Sequence, residues 1–158
     1  MRWHIDRSAW RFIALRYLPF LTAVNLVWET VQLPLYTIWS DASIGEIAFA
    51  VAHCTAGDVV IGAAALVAAL IVTRSGPMEE WRWFRLGLIA TTTGLAYTGF
   101  SEWANTAVKS SWQYSALMPT LDLGGIQIGL SPLAQWLLLP PLTLYAARRS
   151  RGRSPSPV

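Results

Sequence analysis

Four side chains in this sequence pair acid–base or metal-binding chemistry with apolar surroundings: Glu29, His53, Asp58 and Glu102. A carboxyl held away from water can act as a general acid, with a second carboxylate or an imidazole as its base. The same four groups would offer a divalent metal an oxygen-rich ligand set with one nitrogen. No Lys or Arg interrupts these apolar runs at the level of the acids, so His53 is the single candidate cation among them. An acid placed in lipid must shed its charge, admit water or find a partner, and each outcome is chemically useful.

Spacing surrounds these residues with supporting polar groups. Asn25, Glu29 and Gln32 fall at i, i+4 and i+7, one face of a helix. Thr91, Gly94, Thr98, Ser101, Glu102 and Asn105 occupy about 100° of a second helix. Ser131 and Gln135 belong to a third, and His53, Cys54 and Asp58 to a fourth. Small residues and hydroxyls in such stripes are packing devices in membrane helices, and amides serve as hydrogen-bond links. Glu46 and Asp122 read as solvated charges, and Cys54 as a small buried apolar group.

The elements that carry these residues follow from composition. The chain has 158 residues, 54% of them hydrophobic and 13% charged, with a mean hydropathy of +0.40. That balance suits lipid, and it predicts an all-α, integral membrane four-helix bundle in a single domain over 1–147, with helices at about 12–36, 44–73, 84–107 and 130–147. Ser131 and Pro132 suggest the start of the last helix, and Pro140 and Pro141 a kink within it.

Arginine positions give the orientation. Arg2, Arg7, Arg11 and Arg16 precede the first helix, Arg74, Arg82 and Arg85 lie between the second and third, and Arg148, Arg149, Arg151 and Arg153 follow the fourth. Only Lys109 falls on the other side, which predicts cytoplasmic termini and a multi-pass protein of the plasma (inner) membrane. Trp10, Trp81, Trp83 and Tyr145 mark one aromatic belt; Tyr36, Trp39, Trp103 and Trp112 mark the other. Counting about 1.5 Å per residue places Glu29 roughly 10 Å, Asp58 roughly 8 Å, and Glu102 and Gln135 roughly 5 Å below the outer boundary. Four helices thus deliver their most polar residues to one layer.

A long extracytoplasmic loop joins helices three and four over about 106–130. Its aromatic and aliphatic residues suggest a segment lying on the membrane surface above the acids, with Gly124 and Gly125 as a flexible joint. The tail at 148–158 is rich in Arg, Ser and Pro, and reads as a disordered basic anchor on anionic lipid. Arg16 interrupts the first apolar run and no small-residue cleavage site follows, against a signal peptide.

Much chemistry is excluded. The single cysteine forbids an internal disulfide, and the two histidines, His4 and His53, cannot supply paired axial ligands to a haem inside the helices. Nucleotide loops and the HExxH and GxSxG motifs are absent, and the basic residues form no stripe for nucleic acid. Two functions remain. One is binding, or acid–base or metal-assisted conversion, of a lipid-like or isoprenoid substrate reached from the outer leaflet. The other is an accessory or assembly subunit whose polar layer docks helices of other membrane-protein subunits or conducts protons.

Overall fold

The protein is mostly helical in a computed structural model that describes residues 2–151, Arg151 by its backbone alone. Helical backbone runs unbroken from Arg7 to Gln32 as α1 (Arg7–Phe12), a π-turn (Ile13–Tyr17) and α2 (Leu18–Gln32). The π-turn has a local cause. Pro19 lacks the N–H that Leu15 would need as its i+4 donor, and its ring crowds that carbonyl, so the turn before it widens. A short turn and α3 (Ile38–Asp41) lead to α4 (Ile44–Val72). Ser43 and Glu46 close a capping box there, which fixes the start of α4 and gives Glu46 a task beyond carrying surface charge.

The third long helix is α5 (Trp83–Trp103), which ends in a second π-turn (Ala104–Val108). The chain then forms a two-stranded antiparallel hairpin, β1 (Thr120–Asp122) and β2 (Gln127–Gly129), and enters α6 (Leu130–Arg151). Gly124 and Gly125 take φ of +67° and +91° in its turn. They are turn residues of a paired hairpin, where the sequence suggests a flexible joint in a surface-lying segment. α6 begins at Leu130, so Ser131 sits inside its first turn and its hydroxyl donates to Gln32. The helix continues through Pro140 and Pro141 and on to Arg151. Residues 148–151 therefore extend α6, whereas a tail is expected from 148; the remainder of that segment, 152–158, lies outside the described residues.

The four long helices touch in a ring, α2 on α4, α4 on α5, α5 on α6 and α6 on α2. The ring is divided along its length. Tyr17, Leu21, Leu66, Leu70, Leu86 and Leu144 form an apolar core in the half near the arginines, joined by Trp3, Phe12 and Trp81 at its end. Tyr17 donates to the Gly62 carbonyl at 3.1 Å, tying the first π-turn to α4. The opposite half buries polar groups. Outside the ring, large apolar side chains face away from the protein on every helix, among them Val31 at 73% exposed, Phe84 at 83%, and Phe100, Leu138 and Leu142. Among the described residues one helix, α4, is long and apolar enough to cross a membrane.

Candidate functional site

The polar half is built first by α2, whose buried residues are Leu21, Asn25, Glu29 and Gln32. Three of these four are polar, and all lie on the face that the seven-residue spacing predicts. Gln135 of α6 reaches into them. Its Nε2 lies 2.8 Å from Asn25 Oδ1, 2.8 Å from Asp58 Oδ2 and 3.2 Å from Glu29 Oε1. An amide nitrogen carries two hydrogens, so the two shorter bonds use them and the third contact is shared. Glu29 Oε1 is better served by Gln32 Nε2 at 2.7 Å, and Gln32 Oε1 accepts in turn from Ser131 Oγ at 2.9 Å. One connected network thus joins α2, α4 and α6.

Within it the carboxyls of Glu29 and Asp58 form a pair about the Gln135 amide nitrogen. Gln135 touches both members from the side and fixes their separation.

Glu102 is held separately. It is buried on α5, and its Oε2 accepts from the Tyr114 hydroxyl, which itself accepts from Gly129 N at 2.9 Å. The loop after α5 therefore folds down on the acid. Backbone bonds pin it there, Thr37 N to Gln113 O at 3.0 Å and Ser115 N to Leu35 O at 2.9 Å, and Ser115 Oγ donates to Pro34 O. Burial, reinforced by Glu102, pushes the Tyr114 phenol well above its ordinary range, which keeps it a donor. Tyr114 and Tyr36, whose rings meet at 5.7 Å, escape a sequence reading of the site. Their pairing depends on a loop returning to the α2–α3 connection, and no periodicity encodes that return.

All three acids line one cavity of about 990 Å³. Its floor lies among α2, α4, α5 and α6, and its cover is made by α3 and the Ser110–Gln113 stretch. Glu46 and Asp41 stand at the margin. No Lys or Arg is among the lining residues described, and the aromatic rings of Tyr36, Phe49, Tyr97 and Trp136 make up much of the wall. The indole nitrogen of Trp112, also on the lining, is buried beside the Glu102 carboxyl.

The remaining expected residues divide. Cys54 lines the cavity half-buried, one turn from Asp58. His53 lines it too, but as an exposed residue stacked on Phe49 at 5.6 Å. Five residues along a helix turn His53 well away from Asp58, so the two cannot share a face. Among the described residues no three His, Cys, Asp or Glu side chains are gathered to hold a metal ion; the set of Glu29, His53, Asp58 and Glu102 expected from the sequence is thus not assembled as ligands. Ser101 lines the cavity, while Asn105 turns back to the Ser101 carbonyl at 2.8 Å and stays outside it. Asn25 supports Gln135 from beneath. No protein-family model, curated protein or solved structure matches the chain.

Proposed function

We propose that the chain crosses the plasma (inner) membrane four times as a helical bundle, with its termini in the cytoplasm, and that the acid-lined cavity takes a lipid-like or isoprenoid molecule from the outer leaflet. One observation carries the reading: the helices are polar inside and apolar outside. α2 buries Asn25, Glu29 and Gln32 while Leu26, Val27 and Val31 face outward. In water that arrangement would expose the apolar groups and desolvate the polar ones at once; in lipid both are placed well. The rod from Arg7 to Gln32, α4, α5 and α6 are each long enough to span about 30 Å of hydrocarbon.

The cavity supplies the chemistry. Its volume lies at the upper end of the usual ligand-pocket range, and its walls are mostly apolar with polar groups converging at one end. An apolar chain would lie along Phe49, Tyr97 and Trp136, with a hydroxyl, amine or double bond presented to the acids. The Glu29–Asp58 pair then gives or takes the proton, Gln135 holds the pair in register, and Glu102 with Tyr114 serves a second polar group. Protein extracted in mild detergent and weighed by native mass spectrometry should carry a bound lipid, retained several-fold less by Glu29→Gln and Asp58→Asn. Equal occupancy in wild type and variants would refute this role.

A second reading rests on the network itself. Hydrogen bonds from Gln135 to α2 and α4 are sufficient to join helices without any ligand, and an accessory subunit could use the same layer for docking. A stoichiometric protein partner in that extract, with the cavity empty, would favour it.

A further inference from the structure

A second cavity, of about 740 Å³, lies at the arginine end, far from the acids. Arg7, Arg11 and Arg16 line it with Ser8 and Ser150, and Phe12, Leu15 and Phe20 complete its wall. No acid is among its described lining residues. Three cations on one short stretch of the chain thus line a single cavity. Arg7 and Arg11 share a face at i and i+4 of α1, and Arg16 follows within the π-turn. The Arg16 guanidinium also donates to Ser150 Oγ at 3.1 Å, which fixes it against the end of α6.

The chemistry of this cavity is selective. Guanidinium groups present paired donors that match phosphate oxygens, and hydroxyls add single donors. The apolar side is equally specific, because Leu15 and Phe20 are exposed and continue into the outward-facing apolar belt. A free phosphate would use the arginines and leave that wall bare. A phosphodiester carrying acyl chains would use both.

We propose that this cavity binds the headgroup phosphate of an anionic phospholipid of the cytoplasmic leaflet, with an acyl chain running past Leu15 and Phe20. The inference shares with the proposed function only the placement of the bilayer; its ligand, residues and end of the molecule are different.

The test uses the full chain in nanodiscs of phosphatidylcholine alone or with phosphatidylglycerol, reading retained lipid by native mass spectrometry and the thermal midpoint in parallel. Wild type should retain phosphatidylglycerol over phosphatidylcholine. Arg7→Gln/Arg11→Gln should lose that preference by roughly tenfold or more per arginine, the worth of a hydrogen bond to a charged group. Arg148→Gln/Arg149→Gln removes the same charge from the same end but outside the cavity lining, and should leave the preference nearly intact. Equal loss in the two variants would reduce the effect to general surface charge and overturn the site. Inorganic phosphate at millimolar concentration that raises the midpoint as much as phosphatidylglycerol would overturn the lipid as its ligand. Failure of either kind leaves the outer-cavity lipid signal to be read separately on Glu29→Gln.

Discussion

Gln135 is the single side chain on which the polar layer turns, because its amide nitrogen bonds a residue on α2 and an acid on α4. Gln135→Leu keeps the volume but strips Asn25 Oδ1 and Asp58 Oδ2 of their donor, and should destabilise the protein by about 1–3 kcal/mol, the cost of unsatisfied buried acceptors. Thermal unfolding in one detergent, with wild type alongside, measures it. Asp6 governs the other end. It caps α1 by accepting from Ser8 N, accepts also from Ser8 Oγ, and accepts from Met78 N of the α4–α5 connection at 2.9 Å. The Ser8 hydroxyl first, and then the Met78 amide, hold its carboxyl below the ordinary 3.8. The folded form therefore binds fewer protons than the unfolded chain, so its contribution is complete above the unfolded value and lost as pH falls through the folded one. The difference in midpoint between wild type and Asp6→Asn should be open at neutral pH and close below about pH 4. Such single-residue roles were unevenly legible. The buried face of α2 follows from a period of 3.6, but the partner of Glu102 does not, since Tyr114 arrives through a loop whose path is set by distant backbone bonds.

At the scale of elements, close approach of α5 and α6 depends on Gly94, where an added Cβ would overlap the buried ring of Trp136. Gly62 meets the methyl end of the buried Leu21, at 2.6 Å, rather than a rigid ring. Gly94→Ala should therefore cost about 1–3 kcal/mol by overpacking and Gly62→Ala less, an ordering that paired unfolding curves decide. The long helices were readable because apolar runs and flanking arginines bound them, and α4 starts at the residue its capping box requires. Other elements were not. The first π-turn answers to Pro19, a steric effect on a carbonyl four residues back, and the hairpin of β1 and β2 has too few residues to show a period of two. His53 stands at the margin of the cavity for a related reason: composition places it near Asp58, but rotation along α4 separates them.

The whole molecule carries two unlike cavities separated by an apolar core, one lined by acids with an exposed imidazole and the other by arginines. We propose that the acidic end opens to the extracytoplasmic side of a bilayer. The protein carries its own probe, because the single cysteine, Cys54, lines that cavity beside Asp58. A small membrane-impermeant thiol reagent applied to intact cells should modify Cys54, at a rate reduced when the cavity is blocked by a bound lipid. Modification of Cys54 only after the cytoplasmic face is opened, with none from outside, would contradict the account.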